Sequence, residues 1–258
     1  MHPNPPNTFS TLLAIWQLEF SRLFLTHRGI IYLITFAVIW FCILHYAVGP
    51  LAISSKPKLT WPVAELEVYW HLSFDMFPVL CILSAAGQTA SDRDRGTLRF
   101  LTLHCSRDMV FFGRFSSQIL IQSFLIIATL SSTLLMVIMR DPSLLMPGLH
   151  NAWIIALNLI FIVLPFLALL ALLSASFNST RQVMVLAILI WILSATLIDR
   201  LSVHLPALDF LNYLVPGMQI TELALLPPSK TFLLAHIPIL QSLVLLVLGR
   251  TIMARSAL

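Results

Sequence analysis

Long apolar stretches separated by short polar breaks dominate the chain. Crossing the hydrocarbon core of a bilayer takes about 20 helical residues, or a few fewer where the bilayer thins. Six stretches meet this requirement, and Gly, Pro, Asn or charged residues separate them. They cover residues 30–48, 68–90, 117–139, 152–174, 182–198 and 232–248. The pattern predicts an all-α polytopic membrane protein with six transmembrane helices.

A further apolar stretch, residues 8–27, precedes the first span and differs from it in pattern. Its apolar side chains, from Phe9 to Phe24, recur at helical spacing, and polar residues occupy or flank the other side. This favours an N-terminal amphipathic helix that lies in the cytoplasmic interface of the membrane. A soluble helix packed on a partner protein is the alternative.

A second unusual stretch, residues 203–228, lies before the last span. Prolines at positions 206, 216, 227 and 228 interrupt an otherwise apolar sequence, so one straight helix is excluded. Irregular backbone is tolerated at membrane depth only where protein or a cavity surrounds it. We therefore expect a re-entrant hairpin, with an extracellular loop carrying one interfacial helix as the alternative.

Composition removes several classes of protein. Of the 258 residues, 59% are hydrophobic and only 10% are charged, with a mean hydropathy of +0.92. An ordinary soluble domain carries about 25% charged residues, so a soluble enzyme is excluded. The net charge of +4 is too small and dispersed for a nucleic-acid surface. No linker divides the chain, and residues 1–258 are expected to form one membrane domain.

The positive residues predict how the chain lies in the membrane. One set of helix flanks holds ten arginines, whereas the other holds only Lys56, Lys58, Arg140, Arg200 and Lys230. Lys and Arg near helix ends are retained on the cytoplasmic side. Both termini and the loop of residues 91–114 should therefore be cytoplasmic, in a multi-pass protein of a bacterial cytoplasmic (inner) membrane.

The loop of residues 91–114 has a helical pattern of its own. An entry of alternating charge leads to a first helical piece, with Leu98, Leu101 and Cys105 along one stripe, and Ser106 is a candidate N-cap for a second piece. Phe100 and other large apolar residues of the loop offer more apolar surface than contact with water alone explains. We expect this loop to dock on a protein partner; burial against helix ends and the lipid interface is the alternative.

The same loop resembles the loop after the second helix in ABC-2 type permeases. The resemblance consists of an acidic pair before Gly-Thr-Leu, a Leu-rich turn, then Ser-Arg and Gly-Arg. The matching residues are Asp92, Asp94, Gly96, Thr97, Leu98, Leu101, Ser106, Arg107, Gly113 and Arg114. Cys105 stands where many members have Pro, and Asp stands where Glu is common. Residues 211–222 are similar to the polar, Pro-containing stretch before the last helix of this family.

This resemblance implies a half-transporter of the type V exporter fold. Two six-helix subunits would surround an export path, a homodimer being favoured over a heterodimer, and separate cytoplasmic ATPase subunits would drive it. The loop would then be a coupling helix, with these residues at the ATPase interface: Asp92, Asp94, Gly96, Thr97, Leu98, Leu101, Ser106 and Arg107. In size and layout the chain is similar to permeases of nitrous oxide reductase maturation.

The sequence lacks the motif that binds the phosphates of ATP in P-loop ATPases. No glycine begins a GxxxxGK[ST] run, so ATP and Mg²⁺ are expected on the partner ATPase. We expect neither a cofactor nor a bound metal on this chain. The transported substrate stays open between a small sulfur or metal species, a lipid, a peptide and a drug, and a periplasmic partner protein stays open as well.

Three ionisable residues recur every fourth position along the second span. Glu67, His71 and Asp75 therefore lie on one helical face, and ionisable groups at membrane depth usually face a bundle interior or water. They are candidates for a polar network or for the substrate path, with metal binding a weaker alternative. An intramembrane enzyme using His71 and Asp75 is the rival interpretation, and a non-transporting membrane scaffold is the third.

Overall fold

The computed structural model describes residues 8–25, 28–47, 63–204, 215–217 and 228–255, and within these ranges the regular structure is entirely helical. The all-α prediction is confirmed. The helices are α1 (Thr8–Leu25), α2 (Arg28–Ala47), α3 (Ala64–Ala85), α4 (Ala90–Asp94), α5 (Thr97–His104), α6 (Arg107–Arg140), α7 (Leu145–Ser176), α8 (Thr180–His204), α9 (Pro228–Thr231) and α10 (His236–Arg255). Short 3₁₀ turns at Pro142–Leu144 and Phe232–Leu234 precede α7 and α10.

Three of the described helical stretches are long and apolar enough to cross a membrane: Arg107–Arg140, Pro142–Ser176 and Phe232–Arg255. A fourth is added when Ala64–Phe74 and Met76–Asp94 count as one span bent by 46°. Pro78 lies just after that bend, where its missing N–H removes a hydrogen bond to the preceding turn. Shorter apolar helices at Tyr32–Cys42 and Thr180–Leu193 coincide with the first and fifth predicted spans. The count of six spans stays a prediction.

The predicted helix limits differ modestly from those observed. The span predicted over 68–90 ends at Ala85, and the chain then turns into α4; the span predicted over 117–139 is the later part of a helix that begins at Arg107. The predicted limits at His27 and Val48 fall outside the described residues. We call the end of the bundle formed by residues 85–114 the loop end. We call the opposite end, where the turn at Pro142–Leu144 joins α6 to α7, the hairpin end; this name does not refer to the predicted re-entrant hairpin.

Helix α7 lies at the centre of the bundle and packs against α3, α6, α8 and α10. Its buried face is rich in Leu, Ile and Ala, and the small Ala side chains allow helices to approach closely in a membrane. The opposite faces of α6 and α10 expose large apolar side chains, among them Phe124, Leu135, Leu240 and Val247. Such surfaces suit lipid, because lipid tails are as apolar as these side chains.

The predicted amphipathic helix is α1, and it is attached to the bundle through α6. The Trp16 indole N–H donates to Ser116 Oγ at 2.9 Å. Gly113 makes room for Ile15, because a Cβ at position 113 would lie 2.9 Å from Ile15 Cδ1. The face of α1 that buries Ile15 therefore packs on this chain rather than on a separate partner.

Most of the predicted re-entrant stretch, residues 205–214 and 218–227, lies outside the described residues. Its described part, residues 215–217, contains Gly217 with φ of +93°. A Cβ there would lie 2.6 Å from Phe166 Cζ and 2.8 Å from Trp191 Nε1. Phe166 belongs to α7 and is followed by three further turns of that helix before Ser176, roughly 15 Å at 1.5 Å per residue. This turn thus lies deep against the bundle, and the hairpin as a whole stays a prediction.

Candidate functional site

A buried carboxylate organises the loop end. Asp92 in α4 is 1% exposed and accepts hydrogen bonds from three side chains that come from different elements. Arg114 in α6 donates to Asp92 Oδ2, and Arg22 in α1 donates to Asp92 Oδ1 at 3.3 Å. The Thr97 hydroxyl, at the first residue of α5, donates to Asp92 Oδ1 at 3.1 Å. We call Asp92, Arg22, Arg114 and Thr97 the Asp92 cluster.

Neighbouring groups complete the hydrogen bonding of the two arginines. Arg114, which is 2% exposed, also donates to the carbonyl oxygen of Gln88. Arg22 also donates to the buried carboxylate of Glu19 at 3.1 Å. A buried charge is stable only when paired and hydrogen-bonded, and these contacts supply both. The Asp92 cluster therefore joins α1, α4, α5 and α6 at one point.

The charge state of Asp92 follows from these partners. Burial alone would raise the pKa of the Asp92 carboxyl, but the field and hydrogen bond of Arg114, reinforced by Arg22, outweigh burial and hold the pKa below its usual range. Asp92 is thus ionised at neutral pH. The cluster pairs two cations with this anion, and Glu19 lies beside Arg22.

Gly96 forms the bend between α4 and α5. Its φ of +70° lies in the left-handed region, which glycine adopts without a steric penalty. Gly96 therefore lets the chain turn sharply from α4 into α5. Ser106 is confirmed as the N-cap of α6, because its Oγ accepts from the Met109 N–H at 3.2 Å.

The structure divides the residues expected at the partner interface into two groups. Asp94, Gly96, Thr97 and Ser106 are exposed, and Leu101 and Arg107 are partly exposed. Asp92 and Leu98 are each 1% exposed and lie within the subunit. In this conformation both side chains pack within this chain and hold α5 in place. Their role at an ATPase interface stays a prediction.

Helix α5 presents an exposed apolar surface at the loop end. Phe100 is 69% exposed and Leu103 is 78% exposed, whereas Leu98 on the other side is buried. An eight-residue helix anchored by Thr97 and Leu98 thus displays two large apolar side chains beside Arg99. Such a surface at a rigid position is typical of a protein-docking site.

Two arginines of the loop end bind the last carbonyls of long helices. Arg107 donates to the carbonyl oxygen of Ala254 in α10 at 2.9 Å, and Arg93 donates to that of Ala175 in α7 at 2.7 Å. Arg250 in α10 also pairs with Asp108, with Nη2 to Oδ2 at 2.7 Å. The sequence pattern placed Arg107 at the ATPase interface and gave no role to Arg93, Asp108 and Arg250. The only sequence signal was their concentration near predicted helix ends, which carries no information about pairing.

Of the second candidate set, on α3, the structure describes the side chains of Glu67 and His71. His71 is exposed, whereas Glu67 is partly buried and its Oε2 atom has no hydrogen-bond partner among the described residues. The side chain of Asp75 lies outside the described part of the structure. A different acid of α3, Glu65, is buried and pairs with Arg140 at 2.9 Å. No group of three or more His, Cys, Asp or Glu able to hold a metal occurs among the described residues.

Comparison with known protein families identifies the family to which this chain belongs. The profile of the ABC-2 family transporter proteins matches residues 13–254, nearly the whole chain. The chain belongs to the ABC-2 transporter family. No curated protein matches this ABC-2 chain. Membership together with the long apolar helices indicates a multi-pass membrane protein, and a transport component rather than a catalytic enzyme.

Proposed function

We propose that this ABC-2 protein is the permease subunit of an ABC exporter, in which two copies form a path through the cytoplasmic membrane. Separate ATPase subunits bind ATP and Mg²⁺ and drive the cycle. The observation that carries this proposal is the exposed apolar surface of α5, held on the buried Asp92 cluster within a chain of ABC-2 membership. ABC-2 permeases normally work with ATPase subunits, and this chain has no phosphate-binding motif of its own.

The geometry suggests how α5 couples to the ATPase. Phe100 and Leu103 insert into an apolar depression on the partner, and Arg99 pairs at its rim. When the ATPase moves, the Asp92 cluster, which includes Thr97 of α5, transmits the displacement to α1 and α6. It can do so because separating its buried charges would cost a large free energy. The permease subunits then open or close the path.

Affinity capture from the native membrane tests the proposal. We expect the tagged chain, in mild detergent, to recover a P-loop ATPase and ATP-hydrolysing activity. Phe100→Glu/Leu103→Glu should abolish that recovery, because it charges the apolar surface that docks. Met139→Glu is the matched control, since Met139 is equally exposed but lies at the hairpin end.

Two outcomes would overturn the proposal. One is recovery of the intact chain without an ATPase, under conditions that preserve a known exporter complex. The other is equal recovery by the α5 variant and the Met139 control. The first result would favour a scaffold or an intramembrane enzyme, and the second would show that the ATPase docks elsewhere than on α5.

A further inference from the structure

We call α4, α5 and the start of α6 the coupling segment. We infer that Arg93 and Arg107 are positioning residues, which make the ends of α7 and α10 at the loop end move together with this segment. This inference rests on the proposed function and adds that α7 and α10 are the spans that receive the movement. Both arginines belong to the segment that carries α4, α5 and the start of α6. Both donate to main-chain carbonyls of spans that are distant in sequence.

The chemistry of a helix C-terminus explains why an arginine is suited to this position. The last four carbonyls of an α-helix have no partner within the helix, and the helix dipole adds partial negative charge there. A guanidinium supplies donors and a fixed positive charge. Arg93 meets the end of α7 at Ala175, and Arg107 meets the end of α10 at Ala254.

Arg93 also joins the two spans to each other. Its Nη2 lies 4.0 Å from the sulfur of Met253, which is buried near the end of α10. One side chain thus contacts the ends of both α7 and α10. These two helices pack extensively along their length, so a displacement applied at their ends moves them together.

Two further contacts hold α10 against the start of α6. Arg250 binds both carboxylate oxygens of Asp108. The adjacent Gly249 allows Phe111, one turn after Asp108, to approach closely, because a Cβ at position 249 would lie 2.7 Å from Phe111 Cζ. These polar and packing contacts therefore link α7 and α10 to the segment that carries α4, α5 and the start of α6.

Distance measurements on the intact permease–ATPase complex test this inference. Spin labels at Arg95→Cys in the coupling segment and Thr251→Cys in α10 are introduced with Cys42→Ser and Cys105→Ser; Cys81 is fully buried and is retained. We expect one narrow distance that is the same in the nucleotide-free and vanadate-trapped states. Arg93→Met/Arg107→Met should broaden the distribution and make it shift on trapping.

Matched variants separate positioning from general damage. Arg93→Lys/Arg107→Lys should restore the narrow distance, since an ammonium also donates to a carbonyl. Arg181→Met removes an exposed arginine at the start of α8 and should leave the distance unchanged. A wild-type distance that shifts on trapping would overturn the inference, and so would an unchanged distance in the Met variant.

ATPase capture distinguishes this failure from failure of the proposed function. The Met variant keeps Phe100 and Leu103 and should still recover the ATPase. If the wild type recovers none, the proposed function fails. If the ATPase stays bound and the distances contradict the expectation, only the role of the two arginines fails.

Discussion

Asp92 shows how a single carboxylate can hold several helices together at the edge of a membrane. Its two oxygens are shared between Arg22, Arg114 and Thr97, which come from three different elements. Burying this anion without partners would cost several kcal/mol, and removing it leaves the buried Arg114 without its countercharge. Asp92 is therefore expected to contribute more to the stability of the folded protein than an exposed ion pair such as Asp108 with Arg250.

Asp92→Asn is expected to destabilise the protein strongly. The amide keeps the shape of the carboxylate but loses the charge that balances Arg114 and Arg22. Breaking a buried pair in this way costs about 3 kcal/mol or more, which thermal unfolding of the purified protein would report as a clear drop in Tm. Asp94→Asn, on the exposed end of the same helix, should leave Tm nearly unchanged. Equal Tm values for the two variants would contradict the role given to the cluster.

Gly96 offers a second test at this scale, through backbone conformation alone. Beyond its chain neighbours, no atom lies within 4 Å of the position that a Cβ would take at Gly96, so alanine would meet no steric clash there. Its φ of +70° would still cost alanine about 1 kcal/mol. Gly96→Ala should therefore lower Tm slightly, and Gly96→Asn should lower it less because Asn tolerates this region. A larger loss for Asn than for Ala would argue against backbone strain as the cause.

At the scale of elements, α3 and α6 are joined along their whole length. Polar contacts recur from the hairpin end to the loop end: Glu65 with Arg140, Tyr69 with Thr129, Ser84 with Gln122, and Gln88 with Arg114. Interhelical hydrogen bonds in membranes contribute about 0.6 kcal/mol each on average. Their number and spacing favour movement of these two helices as one unit.

The close approach of α10 to α6 and α7 can be tested at Gly249. A Cβ there would lie 2.7 Å from Phe111 Cζ and 3.3 Å from Leu172 Cα. We expect Gly249→Leu to force the helices apart at a cost of about 1–3 kcal/mol, measured by thermal unfolding. Gly148→Ala is the control, since a Cβ there meets only the flexible end of Leu134 at 3.3 Å.

A companion substitution shows whether crowding causes the effect. In a Phe111→Ala background, which lacks the nearest ring, Gly249→Leu should lower Tm less than it does in the wild type. If Gly249→Leu is as stable as the wild type, the packing described at this crossing is wrong.

At the scale of the whole molecule, the orientation in the membrane is the most direct prediction to test. The arginine-rich flanks predict that the loop end lies in the cytoplasm and the hairpin end outside. In a Cys42→Ser/Cys105→Ser background, Met146→Cys should react with a membrane-impermeant maleimide on intact cells. Leu103→Cys should react only after permeabilisation; both side chains are well exposed, so access depends on the side of the membrane. The reverse pattern would invert the topology.

Much of this protein is determined by local sequence. Apolar stretches of membrane length specify helices, because every backbone polar group must be satisfied within the bilayer. Gly96 and Ser106 define the ends of α5 and α6 through conformational freedom and N-capping, both of which act between near neighbours. The family resemblance of the loop was likewise readable from residues that lie close together in the chain.

Tertiary structure alone decided which of the loop residues face outward and which arginines pair. Asp92 and Asp94 are two positions apart and chemically identical, yet one is buried with Arg22 and Arg114 and the other is exposed. Arg107 similarly meets Ala254, which is 147 positions away. Charge pairing over such separations depends on how the helices cross. Crossing depends on side-chain packing along entire faces, which a linear pattern of apolar and charged positions does not specify.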